Sequence, residues 1–215
     1  MNYFSVFIDL IFPQKCHSCN AKLTKGNVLC SHCQEQLFFI SKTIISEDND
    51  FDIAYALYDF SPLIKSLIHD FKYNEMINIG KFFASKAVEF IQTKQDFPKI
   101  DFVIPVPLHS VKKRARGFNQ SEIISKIIAK NCDYKHLPNV LKRKKFTQTQ
   151  TRLGRAERKA NVSNAFVLKT PQKIEGKNIL LIDDVFTTGA TVNSISNLLK
   201  NNGVSKIYIL TIARA

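Results

Sequence analysis

Residues 180–191 read LLIDDVFTTGAT. The fully apolar run Ile179–Ile182 predicts a strand inside a parallel sheet, because such strands are covered on both faces and show no polar alternation. The run delivers two adjacent acids, Asp183 and Asp184, to the carboxyl end of the strand, where open α/β sheets bind ligands. Phe186 to Thr191 then turns into a helix predicted over Thr191–Asn201 and ended by Gly203. A helix start offers unpaired N–H groups and the positive end of the helix dipole. Thr187, Thr188 and Thr191 add hydroxyl donors, and Gly189 lets the backbone approach closely. Such a loop suits a monophosphate. The acids would repel a phosphate placed on them and suit neutral hydroxyls, or a Mg2+ ion, a short distance away. Together they describe a sugar phosphate, its phosphate in the loop and its ribose diol on the acids. A strand ending in Asp-Asp also resembles a Walker B segment, but the G-x-x-x-x-G-K-[ST] partner is missing: Gly80-Lys81 is followed by Phe82, and Gly176-Lys177 by Asn178. An ordinary strand–turn–helix would leave two acids and three threonines unexplained.

Upstream, strand-like and helix-like segments alternate from about residue 50. Ile53–Tyr58 reads as a strand, and Ser61-Pro62 offers an N-cap followed by proline at the first helical position. Leu63, Ile64, Leu67, Ile68 and Phe71 repeat at helical spacing behind it, and a second helix is expected over Ile79–Ile91. Asp101–Val106 is a short apolar strand ending in Pro105-Val106-Pro107, followed by a basic loop over Lys112–Gly117. Asn119 and Glu122 resemble a capping box ahead of the apolar face Ile123, Ile124, Ile127 and Ile128, and Ile207–Ile212 is the last strand. This order predicts a doubly wound α/β domain over residues 50–215 with a central, mostly parallel sheet.

The N-terminal part is different. Cys16, Cys19, Cys30 and Cys33 are spaced C-x2-C-x10-C-x2-C. A two-residue gap turns both thiolates of a knuckle toward one ion, and two knuckles complete a tetrahedral structural zinc site with no open position. His17 and His32 lie inside the knuckles and are alternative ligands to a set already complete, while the distant Cys132 reads as a small buried side chain. Phe4, Phe7, Ile8 and Ile11 fit one helical face, so residues 1–45 read as a helix followed by a zinc ribbon. The polar stretch SKTIISEDNDF after Phe39 reads as the linker.

The chain has 215 residues, 45% of them hydrophobic, enough for one sizeable domain and a small module. Its 31 Lys+Arg against 18 Asp+Glu leave a formal charge of +13, which suits an anionic partner or simply a solvated surface. No apolar run reaches the roughly 20 residues of a membrane span. MNYFSVFIDLIFP lacks a basic leader and a cleavage site, so a cytoplasmic location is the default.

Ile182–Thr191 resembles the signature of type I phosphoribosyltransferases, which bind 5-phosphoribosyl-1-pyrophosphate (PRPP). The resemblance implies that Val185, Phe186, Thr187, Thr188, Gly189, Ala190 and Thr191 hold the 5-phosphate, that Asp183 and Asp184 contact the ribose hydroxyls, and that Mg2+ accompanies the ligand. Phe71-Lys72-Tyr73, Pro105–Leu108, Arg116–Gln120, Gln150–Leu153 and Arg158–Val162 are similar to segments of the competence protein F (ComF/ComFC, GntX-like) family, in the same order. Arg152 and Gly154 depart from that pattern, where glycine and serine are usual. The family joins a four-cysteine zinc ribbon to a phosphoribosyltransferase-like domain.

The resemblance further implies that Pro107, Leu108 and His109 line the pyrophosphate end, with Arg114 and Arg116 on a mobile loop able to fold over it. Lys142, Arg143, Lys144 and Lys145, with Arg152, Arg155, Arg158 and Lys159, form a second basic tract, suited to single-stranded DNA or to plain solvation. Two functions stay open. One is a PRPP-binding protein assisting DNA uptake in natural transformation, with single-stranded DNA and an uptake helicase or translocation protein as partners. The other is an active phosphoribosyltransferase that passes the phosphoribosyl group to a nitrogen acceptor and releases pyrophosphate.

Overall fold

The computed structural model describes residues 14–24, 26–37, 39–44, 49–144 and 165–215. The expected helix over Phe4–Ile11, and Lys145, Arg152, Arg155, Arg158 and Lys159, lie outside the described residues.

The elements alternate much as the apolar spacing predicts. Described strands are β1 (Phe39–Ile44), β2 (Ile53–Asp59), β3 (Phe102–Pro105), β4 (Lys135–His136), β5 (Leu141–Arg143), β6 (Phe166–Leu168), β7 (Asn178–Phe186) and β8 (Lys206–Arg214). Described helices are α1 (Ser31–Glu35), α2 (Pro62–Tyr73), α3 (Ile77–Thr93), α4 (Ser110–Arg116), α5 (Gln120–Asn131) and α6 (Ala190–Lys200). The main sheet runs β1-β2-β8-β7-β3-β4; β1 pairs antiparallel at one edge and the other pairings are parallel. The parallel strands place the carboxyl ends of β3, β7 and β8 along one edge, where the site lies.

Alternate residues of β7 enter two apolar layers. Leu180 and Ile182 pack with α2, α3 and α5 through Ile64, Leu67, Phe83 and Ile124, while Ile179 and Leu181 pack with α6 and the β5–β6 pair through Ile195, Leu199 and Phe166. Covering both faces explains why the strand carries no polar alternation before Asp183. Ser61 caps α2 by accepting from the Ile64 N–H at 3.3 Å, with Pro62 behind it. Gly80 of α3 admits the Phe71 ring of α2: a Cβ there would stand 2.3 Å from the ring. Phe71 is also stacked on Phe118, ring centres 5.6 Å apart, so the α2 segment next to Lys72 is held from two sides.

Several expectations are corrected. The polar stretch after Phe39 is not all linker: Phe39–Ile44 forms edge strand β1, whose backbone pairing with β2 does not depend on an apolar pattern. The basic loop over Lys112–Gly117 is mostly helix α4, capped by the His109 side chain accepting from the Val111 N–H at 3.3 Å and ended by Gly117 at φ 79°. The capping box at Asn119 is half made. Asn119 accepts from Ser121 N–H at 3.2 Å, but Glu122 pairs with Lys113 at 2.9 Å instead of reaching back. β7 also continues past Ile182 through the acids to Phe186.

The ribbon packs on the first layer through Cys16, Val28, Leu29 and Cys33, which join the same apolar cluster as Ile64 and Leu67. His17 belongs to this junction, its Nε2 lying 2.7 Å from Asp70 Oδ2 and 3.4 Å from Ser66 Oγ, both on α2. None of the described helices is long and apolar enough to cross a membrane.

Candidate functional site

The loop after β7 closes onto α6 through Gly189, whose φ of 73° favours a residue without a side chain. A Cβ at Gly189 would also stand 2.8 Å from the Phe186 ring. No side chain caps the helix at its Gly189 N-cap; Thr188 Oγ1 accepts from the Ala190 N–H at a long 3.4 Å. The loop lines a solvent-open depression walled by Asp183, Val185, Phe186, Thr187, Thr188, Gly189, Ala190, Thr191 and Val192. A helix start of this kind, with threonine hydroxyls beside it, suits a small anionic group.

The two acids face different neighbours. Asp184 lies on the α2 side, where Lys72 Nζ stands 2.7 Å from its Oδ2; both side chains are about four-fifths covered. Asp183 accepts from Ser121 Oγ at 3.2 Å and from the Asp184 backbone N–H at 2.9 Å. Burial, and then the Asp184 charge beside it, push the Asp183 carboxyl up to about 7, while the Asp184 N–H, Lys72 and Ser121 oppose the rise.

Further cations gather around this pair. Arg143 of β5 lies against the Phe166 ring at 5.4 Å. Burial lowers its pKa, and the nearby Asp183 charge opposes that. Lys112 of α4 is lowered by burial and by the charges of Arg143, Arg116 and Lys72. Arg116 donates to Gln120 Oε1 at 2.6 Å and covers the Tyr73 ring at 5.0 Å. Arg114 is exposed on α4, while Pro107 and Leu108 are half-buried just beyond β3.

The structure thus brings Asp183, Asp184 and the loop together, sets Arg116 over Tyr73 next to Lys72 in the chain, and divides the basic tract. Lys142 and Lys144 are exposed, whereas the strand's alternation turns Arg143 toward the acids. Lys72, Lys112 and Ser121 join the site without having been expected there from sequence. The one sequence signal among them is that Lys72 stands in a segment of the family resemblance.

In the ribbon, the sulfurs of Cys16, Cys19, Cys30 and Cys33 all lie within 4.8 Å of one another. Although burial opposes it, backbone N–H groups of Cys19, Cys30 and Ser18 bring the Cys16 thiol down to about 6. Cys33 is helped by a Ser18 hydrogen bond, yet burial and the other three sulfurs push it up to about 12. Four converging thiols that cannot all ionise alone fit a divalent cation that favours thiolate, and zinc matches that donor set.

Comparison with known proteins accords with both parts. Residues 86–215 match the phosphoribosyl transferase domain, and residues 7–44 match the double zinc ribbon domain. Competence protein F of Haemophilus influenzae is 30% identical over 207 residues, covering 93% of this chain and 90% of that protein. DNA utilization protein YhgH of Salmonella typhi is 30% identical over 162 residues, 74% of this chain and 70% of its own. Competence protein ComFC of Bacillus subtilis is 26% identical over 205 residues, 87% and 78%. The chain belongs to the competence protein F family, with a zinc ribbon ahead of a phosphoribosyl transferase domain.

Proposed function

We propose that the chain binds PRPP, or a closely related phosphoribosyl ligand, and works on the cytoplasmic side of the membrane in handling incoming DNA during natural transformation. The observation that carries the ligand is the helix start at Gly189, without a side-chain cap, lying directly beyond a strand-borne acid pair. In this reading Val185 to Thr191 take the 5-phosphate through backbone N–H groups and threonine hydroxyls. Asp183 and Asp184 accept from the ribose 2- and 3-hydroxyls. Pro107, Leu108, Arg114 and Arg116 serve the pyrophosphate, where an arginine fork matches two phosphate oxygens. Mg2+ belongs to the ligand, carried on its pyrophosphate. Residues 1–45 form the structural zinc module, and residues 50–215 the ligand-binding domain.

The role in DNA handling draws support from relatives named competence protein and DNA utilization protein, and from the net charge of +13. Exposed Lys142 and Lys144, with Lys145, Arg155 and Arg158, are the residues assigned to a single-stranded DNA backbone. A DNA-uptake helicase or translocation protein is the protein partner this role calls for.

Incubating the protein with PRPP and Mg2+ and following pyrophosphate release, with and without ammonia, nucleobases and single-stranded DNA, tests the reading. Binding without release supports a ligand-regulated DNA-handling protein. Release that depends on an added nitrogen nucleophile makes the chain a phosphoribosyltransferase instead.

A further inference from the structure

Lys72 stands against one of the two acids at the end of β7. Its ammonium lies 2.7 Å from Asp184 Oδ2, and both side chains are largely covered. The pairing is built in from several directions. Phe71, the preceding residue, is 1% exposed, seated against Gly80 and stacked on Phe118. Two residues before Lys72 on α2, Asp70 is held by His17 of the ribbon at 2.7 Å and accepts from Asn74 Nδ2 at 2.6 Å. α2 therefore has little freedom to withdraw Lys72 from the acid.

The surrounding charge points the same way. Asp184 pairs with Lys72, Asp183 lies close enough to Arg143 to act on it, and Lys112 feels the charges of Lys72, Arg116 and Arg143. Each acid thus already has a cation beside it. A divalent ion added at the acid pair would meet ammonium and guanidinium groups already in place, and like charges a few ångströms apart in a covered site repel strongly. An anionic ligand entering the site finds its counter-charge already supplied by side chains. Lysine provides it as a compact ammonium with three donors, able to hold Asp184 and a ligand oxygen together.

We propose that Lys72 serves as the resident cation of the acid pair, so that the chain binds its phosphoribosyl ligand without requiring a divalent metal. The inference rests on the phosphoribosyl reading of the loop. Mg2+ can still ride in on the ligand's pyrophosphate, but the protein's affinity does not depend on it.

Calorimetric titration of the full chain with PRPP provides the test, in buffer containing Mg2+ and in magnesium-free buffer made without a chelator, so that ribbon zinc is retained. The wild type is expected to bind in both, with dissociation constants within about threefold of each other. Lys72→Met is expected to lose at least about tenfold in magnesium-free buffer and to recover part of that loss when Mg2+ is added, because the ion then fills the vacated place. Lys72→Arg, which keeps the charge, is expected to stay near the wild type without Mg2+. Wild-type binding only with Mg2+ overturns the inference and leaves the phosphoribosyl reading standing. Because that comparison uses the unaltered protein, a variant that fails to fold does not blur it. A folded Lys72→Met that binds like the wild type in magnesium-free buffer also overturns it. Silence of the wild type in both buffers overturns the phosphoribosyl reading, and the inference with it.

Discussion

The ribbon and the acid–threonine loop solve the same problem, gathering like-charged groups, in different ways. In the ribbon the sulfurs of residues 16–33 converge within 4.8 Å from two nearby knuckles, and one ion satisfies them all. At the acid pair, strand β7 supplies two carboxylates and the compensating groups arrive from elsewhere: Lys72 from α2, Ser121 from α5 and Arg143 from β5. The first site is completed by short-range spacing and the second by tertiary folding. The difference predicts that the ribbon fails all at once when a ligand is removed, while the acid pair is weakened by degrees from several sides.

The largest effect is expected in the ribbon. Cys30→Ser removes one of four thiolates. Structural zinc contributes about 10–16 kcal/mol of apparent binding free energy in small zinc-dependent modules, so residues 14–37 should lose both metal and amide protection. Zinc content after dialysis and hydrogen exchange read this out, and an undiminished zinc content would contradict the four-thiolate site.

Next comes the seat of Lys72. Gly80→Ala places a Cβ 2.3 Å from the Phe71 ring, and overpacking of this kind costs about 1–3 kcal/mol. A lowered Tm is expected, and an unchanged Tm would show that α2 and α3 separate easily.

The acid pair should show its strain as pH dependence. The Asp183 carboxyl moves from an ordinary 3.8 up to about 7 in the folded protein. The fold therefore favours the protonated acid. That contribution is fully present below about pH 4 and is lost as pH rises through about 7. Asp183→Asn, neutral throughout, should melt a few degrees above the wild type at pH 8 and lose that advantage near pH 4, while ligand binding is weakened. Melting curves of the two proteins that stay parallel across this range would remove the strained-acid account.

The smallest effect concerns DNA. Lys142→Glu with Lys144→Glu should reduce the salt dependence of single-stranded DNA binding by about 0.7 in log–log slope for each phosphate that a lysine no longer neutralises. An unchanged slope would take these side chains out of the interface.

The same contrast explains what the sequence makes legible. The ribbon spacing, the apolar β7 strand, the Ser61-Pro62 helix start and the Gly189 loop are local patterns, and each predicted feature lies where its pattern stands. β1 gives no such signal, because an edge strand is paired through its backbone and needs no apolar alternation. α4 has the sequence of a loop, because none of its residues is buried and it carries no apolar stripe. Ser121 stands 62 positions from Asp183, and no spacing rule joins them. Arg143 is one of four adjacent basic residues in the sequence, and only strand geometry turns it inward, away from Lys142 and Lys144.

The most direct test of the central claim is titration of PRPP into the wild type and into the double variant Asp183→Asn, Asp184→Asn, with zinc content measured on both. The wild type is expected to bind, the variant's affinity to fall at least about a hundredfold without the two acids' hydrogen bonds to the diol, and zinc content to stay the same. A folded variant that keeps its zinc and binds PRPP as tightly as the wild type would contradict the assignment of the acid pair to a ribose diol.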